Sequence, residues 1–461
     1  MSLFIKHDYI EDTIKNASNP PAEDIRGILE KARKRDGLSH EDLAKLLQCE
    51  DPTLIKEMYK TAGEIKDEIY GDRVVMFAPL YVSDYCVNSC SYCGYKHCND
   101  FGRRKLTMDE IREEVRILEN MGHKRLAFEA GEDPVNCDID YVLEAIETIY
   151  DTYHENGNIR RINVNIASTT VEDYKRLKAA EIGTYILFQE TYHKPSYKNY
   201  HTKGPKSNYE YHLTAFDRAM EAGIDDVGGG VLFGLHDYKF EVMGLMLHNE
   251  HLEKEYNVGF HTISVPRLRP AEGVNLEQYP HLLSDEEFKK VVAIIRLAVP
   301  FTGMILSTRE SAEFRKEVIN YGISQVSAGS CTGVGSYKEH EEGAEEVAQF
   351  VTEDHRSPLE VIKSLVNTGL VPSYCTACYR SDRTGDRFMQ LAKSGNIKHV
   401  CGPNALMTLM EYIQDYGDDE LNEKGRALIY EHANAIDRED IKKILLGNLE
   451  KIENGKRDLF L

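Results

Sequence analysis

The chain contains 461 residues, more than one compact core of the usual size holds, so its length predicts a large barrel with appended segments or roughly two to three domains. Hydrophobic residues make up 41% of the chain and charged residues 29%, as in ordinary globular enzymes. The formal net charge is -21 and the sequence has no local basic patch, which argues against nucleic acid and anionic membranes as partners. Because the sequence shows neither a signal peptide nor an apolar run of membrane-spanning length, we expect a cytoplasmic protein without membrane association.

The first segment, residues 1–70, has a polar and helical pattern. Ser39, with Asp42 three positions later, is a helix-start signature, and leucines follow it at helical spacing. The segment is therefore predicted to be an N-terminal helical extension.

Residues 71–369 alternate β-branched runs of strand length with amphipathic stretches of helical length. Eight such units predict an α/β fold, a parallel (β/α)8 TIM barrel, with an open doubly wound sheet as the alternative. The regular repetition favours closure. The predicted strands are Val74–Tyr81, Arg125–Glu129, Ile162–Ala167, Tyr185–Gln189, Asp226–Phe233, His261–Val265, Gly303–Ser307 and Gln325–Ala328.

Three cysteines, Cys86, Cys90 and Cys93, follow the first predicted strand and so belong to the barrel mouth, where the C-terminal ends of the strands converge. Grouped thiols in a reducing compartment indicate a metal site rather than disulfides. Three thiolates at this spacing bind three irons of a 4Fe–4S cluster and leave the fourth iron open to another ligand. Zinc is the alternative, but it prefers paired CxxC groups and a fourth Cys or His.

This spacing, with an aromatic residue before the third cysteine, resembles the radical S-adenosylmethionine (SAM) superfamily. The resemblance implies that SAM binds the open iron and yields a 5′-deoxyadenosyl radical. It also implies that Gly131 and Glu132 hold the methionine amine and that Glu190 holds the ribose hydroxyls. Gly230 and Gly234 resemble the glycine motif beside the adenine. Taken singly, each of these residues is also explained by a salt bridge or by close packing. The prediction therefore depends on the order in which these motifs follow one another along the chain.

Residues 370–461 lose the strand–helix alternation and are predicted to form a small helical C-terminal domain that binds a second cluster. Cys375, Cys378 and Cys401 again provide three thiolates, which predicts a second 4Fe–4S cluster with one uncommitted iron. A zinc site with His399 as fourth ligand is the alternative, although His399 is awkwardly close to Cys401. The predicted helices are Asn404–Tyr416, Asn422–Ala435 and Glu439–Leu449.

Together, the two cysteine groups, the second of the form CX2CX22C, resemble the radical SAM tyrosine lyase of FeFe-hydrogenase maturation from about residue 71 to the end. The segments Gln189–Tyr192 and Leu306–Glu310 add to this resemblance. It implies that L-tyrosine is cleaved at its Cα–Cβ bond to p-cresol and dehydroglycine. Dehydroglycine then becomes carbon monoxide and cyanide on iron at the second cluster, for a hydrogenase maturation scaffold protein.

The same resemblance implies an extra, labile iron at the second cluster, a 4Fe-4S/5Fe centre, held by a free cysteine and a histidine. His261, at the sixth strand, is the candidate, although a lone strand histidine is usually a core residue. We expect the C-terminal domain to cap the barrel mouth and so to bring the cluster to His261. Arg309, which ends the seventh strand, is predicted to bind the tyrosine carboxylate bidentately, with a structural salt bridge as the alternative.

Two other functions remain open at this level. One is the related thiamine-pathway tyrosine lyase, 2-iminoacetate synthase, which stops at dehydroglycine and lacks the segment 375–401. The other belongs to a different class, an iron–sulfur scaffold or carrier protein without turnover, which needs no SAM motifs at a barrel mouth.

Overall fold

Eight parallel strands close into a barrel in the computed structural model, which describes residues 4–343 and 347–461. The first and last barrel strands pair, with Val75 opposite Gln325, so the barrel prediction is confirmed and the open sheet is excluded. All eight predicted strands are present. The strands are β1 (Arg73–Ser83), β2 (Arg125–Ala130), β3 (Tyr153–His154), β4 (Gly157–Asn158), β5 (Arg161–Asn165), β6 (Tyr185–Ile186), β7 (Val227–Gly230), β8 (Thr262–Ser264), β9 (Gly303–Leu306), β10 (Gln325–Ser327) and β11 (Val371–Ser373).

The short strands β3 and β4 form a separate antiparallel hairpin, and the other connections between barrel strands carry the outer helices. These helices are α5 (Met108–Asn120), α6 (Ile139–Tyr150), α7 (Val171–Ala179), α8 (Lys194–Tyr200), α9 (Tyr209–Leu213), α10 (Ala215–Glu221), α11 (Tyr238–Tyr256), α12 (Asp285–Ala298), α13 (Ala312–Val318), α14 (Ser336–Glu342) and α15 (Pro358–Val366), numbered after four N-terminal helices.

The N-terminal segment forms the four helices α1 (His7–Asn16), α2 (Ala22–Arg33), α3 (His40–Gln48) and α4 (Pro52–Tyr70). Ser39 and Asp42 make the predicted reciprocal cap at the start of α3. The leucines of α3 are buried, and α4 packs along α12 on the outside of the barrel. Each buried leucine contributes about 2 kcal/mol of apolar transfer free energy, which fixes the extension to the barrel.

The C-terminal segment forms α16 (Ala377–Arg380), α17 (Gly385–Lys393), α18 (Lys398–Tyr416), α19 (Asp419–Asn434) and α20 (Glu439–Glu453). The three predicted helices correspond to α18, α19 and α20, but α18 begins before Pro403 and contains it. The sequence pattern also missed β11, which is short and contains a proline. The domain boundaries at 70/71 and 369/370 stay a prediction. Within the described residues, no helix combines the length and apolarity needed to span a bilayer.

Candidate active site and second cysteine site

The loop after β1 brings Cys86, Cys90 and Cys93 to one cavity at the C-terminal ends of the strands, with a volume of about 960 Å³ including its opening. Backbone hydrogen bonds hold this loop from two sides: Ser91 N donates to the Tyr200 carbonyl at 3.0 Å, and Gly94 N donates to the Gln349 carbonyl at 3.1 Å. Burial raises the pKa of the Cys93 thiol to about 11, and burial raises that of Cys90 as well. Three thiols facing one cavity fit a cluster that displaces their protons on binding.

Gly131 and Glu132 lie against the cysteine loop, and their contact with the methionine amine of SAM stays a prediction. A Cβ on Gly131 would stand 2.3 Å from the Tyr85 carbonyl oxygen, so only glycine permits this approach. The Glu132 carboxylate accepts a hydrogen bond from Asn88 Nδ2 at 2.5 Å, and its backbone carbonyl accepts one from Val87 N at 2.8 Å. Burial raises the pKa of the Glu132 carboxyl. The Asn88 amide and the more distant Lys206 act in the opposite direction and lower this pKa. The carboxylate is therefore fixed beside the thiols.

Glu190 also lines the cavity, with the backbone in the left-handed region at φ 67°. Its Oε1 accepts a hydrogen bond from Lys206 Nζ at 2.6 Å. Burial lowers the pKa of Lys206, but Glu190 and Cys90 raise it by more, so Lys206 stays a cation. Glu190 therefore lines the cavity and also forms a salt bridge, the alternative explanation for an acidic residue at this strand end. Its contact with a ribose stays a prediction.

Gly230 and Gly234 do not line the mouth cavity, whereas Leu232 between them does. A Cβ on Gly230 would lie 2.7 Å from Phe188 Cδ1, and Gly234 has a φ of 123° that favours glycine. Both glycines are thus explained by close packing and by a turn, and a role beside the adenine stays a prediction.

Arg309 lies where the mouth cavity meets a second cavity of about 710 Å³ inside the barrel. Its Cζ lies 3.3 Å from the centroid of the Phe350 ring. Burial lowers the pKa of Arg309. In the part of the chain that the structure describes, its guanidinium makes no ion pair within 4.0 Å, so the salt-bridge alternative is not realised. The side chain faces the cavity and is available to an anion.

The second cysteine group forms its own cavity of about 500 Å³, lined by Cys375, Cys378, Cys401 and His261. Cys375 follows β11, Cys378 lies in α16, Cys401 lies in the first turn of α18, and His261 directly precedes β8. Four separate elements therefore converge on this site. His399 is not among its lining residues.

This second cavity lies at the barrel end opposite the mouth. It is also lined by Arg73, Arg125, Gly303 and Gln325, which are the first residues of β1, β2, β9 and β10. The expectation that the C-terminal domain caps the mouth is therefore wrong. The reason is β11: it pairs in parallel with only the first three residues of β1, so the chain that follows stays at the N-terminal ends of the strands.

The donor set of the second cavity suits a metal cluster. His261 Nε2 lies 3.7 Å from Asp226 Oδ2, while His261 Nδ1 is buried without a hydrogen-bond partner. Both carboxylate oxygens of Asp226 are likewise buried without a hydrogen-bond partner, so this acid lies near the imidazole without hydrogen-bonding to it. A buried imidazole nitrogen without a partner is available to a metal. The hydrogen bond with Cys378 and the positive charge of Arg73 lower the pKa of Cys401, against the opposing effect of burial. Within the described residues, no three His, Cys, Asp or Glu side chains are close enough together to hold a single metal ion. A multi-iron cluster is larger than one ion, so its ligands need not lie that close together.

Comparisons with known proteins agree with this arrangement. Residues 80–246 match the radical SAM superfamily, and residues 264–371 match the biotin and thiamin synthesis associated domain. A crystal structure of HydG, a maturase of the FeFe-hydrogenase, is 56% identical, covers 99% of this chain and 100% of its own, and superposes with a TM-score of 0.96. The chain belongs to the HydG family.

Two further relatives place this HydG-family chain among its neighbours. The FeFe-hydrogenase maturase HydG of Carboxydothermus hydrogenoformans is 38% identical, with 96% of this chain and 98% of that chain covered and a TM-score of 0.83. The 2-iminoacetate synthase of Salmonella typhimurium is 30% identical over 75% of this chain and 89% of its own. The protein is a radical SAM enzyme and, as such, uses SAM and a 4Fe–4S cluster.

Sequence reasoning missed several residues of both cavities in this HydG-family member. Asn88, Lys206 and Asp226 carry no motif of their own, because each acts through a partner that is distant in sequence. Glu129 was noted as a polar residue at the C-terminal end of a predicted strand, and therefore at the barrel mouth, but no role was assigned to it. Its alternation with Ala127 along β2 was the one available signal that its side chain faces the barrel interior.

Proposed function

We propose that this enzyme cleaves the Cα–Cβ bond of L-tyrosine to p-cresol and dehydroglycine, and that it then forms carbon monoxide and cyanide on iron for the FeFe-hydrogenase. The observation that carries the second half is the cavity where Cys375, Cys378, Cys401 and His261 meet, at the barrel end remote from the first cysteines. The match to 2-iminoacetate synthase leaves about a quarter of the chain uncovered, whereas HydG covers 99% of it.

When bound, a 4Fe–4S cluster on Cys86, Cys90 and Cys93 with SAM supplies the 5′-deoxyadenosyl radical that removes a hydrogen atom from the substrate. The chain's own residues position the reactants. Glu132, held by Asn88, presents a carboxylate to the SAM ammonium beside the thiols. The enclosing barrel wall keeps water from the radical and fixes the reacting groups at contact distance.

The barrel interior receives tyrosine next to this site. Arg309 offers two parallel N–H donors to the substrate carboxylate, and its stacking on Phe350 fixes the plane of the guanidinium. Fixing the carboxylate orients the amino acid relative to the mouth cavity, which is the contribution that a radical abstraction needs most from the protein.

At the opposite end, Cys375, Cys378 and Cys401 would hold the second cluster, and His261, with a free cysteine, would hold the extra iron. Arg73 lowers the pKa of Cys401 and so favours its thiolate. An iron bound to the protein through this one imidazole would be easier to release than one held by several protein ligands. The product goes to a hydrogenase maturation scaffold protein, in the cytoplasm.

The test is an anaerobic incubation of the reconstituted enzyme with tyrosine, SAM and reductant, assayed for p-cresol and carbon monoxide. Both products are expected. p-Cresol with dehydroglycine but without carbon monoxide would favour the 2-iminoacetate synthase type. Failure to cleave SAM at all, with iron and sulfide present, would favour a scaffold or carrier.

A further inference from the structure

Two opposite charges face the same interior space without pairing. Glu129 and Arg309 both line the mouth cavity and the barrel cavity. Within the described residues, no nitrogen of Arg309 comes within 4.0 Å of a carboxylate oxygen of Glu129 or of any other acidic residue. The proposed function uses Arg309 and leaves Glu129 without a role.

The sheet register fixes where Glu129 points. Glu129 is opposite Tyr81 on β1 and Asn165 on β5, near the C-terminal end of β2. Because side chains alternate along a strand, Ala127 and Glu129 face the barrel interior, while Phe128 is buried on the other side. Arg309 reaches the same space from the chain that follows β9. The two side chains therefore approach one cavity from different sides of the barrel.

An unpaired carboxyl and an unpaired guanidinium are costly in an enclosed site. Burial raises the pKa of Glu129 to about 8, although a hydrogen bond from Asn165 and the charge of Arg309 lower it. Burial likewise lowers the pKa of Arg309. Folding alone would be better served by a direct ion pair or by apolar residues. A carboxyl and a guanidinium that are held apart are instead complementary to a ligand that carries both an ammonium and a carboxylate group.

We propose that Glu129 binds the ammonium group of the α-amino acid whose carboxylate binds Arg309, so that the barrel selects zwitterions. Glu129 and Arg309 then form a two-point clamp on the amino acid backbone, and the side chain of the substrate is recognised elsewhere in the cavity. This inference rests on the proposed function for the identity of the amino acid, L-tyrosine, but not for the clamp itself.

The test measures binding rather than turnover. Anaerobically reconstituted enzyme with SAM and without reductant is titrated with L-tyrosine, with tyramine, which lacks the carboxylate, and with 3-(4-hydroxyphenyl)propanoate, which lacks the ammonium. The variants are Glu129→Gln and Arg309→Gln. Glu144→Gln, at an exposed position on α6, is the control with the same change of charge.

Glu129→Gln is expected to weaken binding of L-tyrosine and tyramine by about 10- to 100-fold, the usual effect of losing a charge-assisted hydrogen bond in an enclosed site, and to leave the propanoate unchanged. Arg309→Gln is expected to weaken L-tyrosine and the propanoate to a similar extent and to leave tyramine unchanged. The control is expected to match the parent with all three ligands.

Two results would overturn the clamp: unchanged L-tyrosine binding by Glu129→Gln, or an equal loss for all three ligands, which would mean general damage to the cavity. Failure of the parent enzyme to bind L-tyrosine would instead refute the proposed function together with the clamp. The two failures are therefore distinguishable. Glu129→Asp, which keeps the charge on a shorter side chain, is expected to recover part of the tyramine affinity.

Discussion

The two cysteine cavities differ in how the chain builds them. The first takes its three thiols from residues 86–93, a single loop at the barrel mouth, and burial raises the pKa of Cys90 and of Cys93. The second takes its three cysteines and His261 from four elements at the opposite end of the barrel; there the hydrogen bond with Cys378 lowers the pKa of Cys401, while the pKa values of Cys375 and Cys378 are raised. One site is thus local and the other is assembled by the fold.

This difference indicates a division of labour. The first cavity adjoins the barrel interior, whereas the second lies at the first residues of the strands, where it is lined by Arg73, Arg125 and His261. Changes in one cavity are expected to leave the other intact, because sites without shared partners act nearly independently.

The largest effect is expected from Cys90→Ala at the mouth. Loss of one of three thiolates removes a ligand for the first cluster, so formation of 5′-deoxyadenosine is expected to fall at least about 100-fold, and p-cresol and carbon monoxide with it. Product analysis under anaerobic turnover measures this. Cys98→Ala, at an exposed cysteine nearby, is the control. Parent-like deoxyadenosine from Cys90→Ala would refute the ligand assignment.

The double variant Cys375→Ser/Cys378→Ser separates the two cavities. Carbon monoxide is expected to disappear, while p-cresol stays within about tenfold of the parent, because the substrate cavity lies at the other end of the barrel. Both products are quantified in the same reaction. An equal loss of both products would show that the cavities do not act separately.

His261→Ala tests the second cavity more finely. Both cubanes and tyrosine cleavage are expected to persist, whereas the extra iron and the iron–carbonyl product are lost, because only the imidazole is removed. Iron analysis, electron paramagnetic resonance and infrared spectroscopy measure these changes. His432→Ala on α19, outside the cavity, is the control. If the variant has the same iron content and carbonyl yield as the parent enzyme, His261 is an ordinary core histidine and not an iron ligand.

The smallest effect is a pH response confined to the barrel interior. Glu129, with a pKa of about 8, is mostly protonated at pH 6 and must lose its proton to bind an ammonium group. Affinity for L-tyrosine is therefore expected to rise with pH toward 8, by up to about tenfold per unit. Titrations without reductant at three pH values measure it. Glu129→Gln is expected to be flat, and Cys375→Ser/Cys378→Ser is expected to keep the slope; a flat parent profile would contradict the assignment.

The sequence by itself predicted the eight barrel strands, because β-branched runs and the amphipathic patterns between them are recognisable within short stretches of sequence. It also showed the two cysteine groups, whereas Gly131 and Glu132 were singled out by the resemblance to the radical SAM superfamily. Spacing within one loop needs only covalent connectivity. The family resemblance added His261, which no local pattern distinguishes from a core histidine.

Only the tertiary structure decided which barrel end the second site occupies, because the short strand β11 sets the position of everything after it and its three residues carry almost no sequence signal. The same holds for Glu129 facing Arg309 and for Lys206 pairing with Glu190. Such contacts depend on strand register and barrel closure, which join residues far apart in the chain. Connectivity therefore determined which thiols of the first group lie together, whereas the fold brought Cys401 to Cys375 and Cys378 and determined what faces both groups.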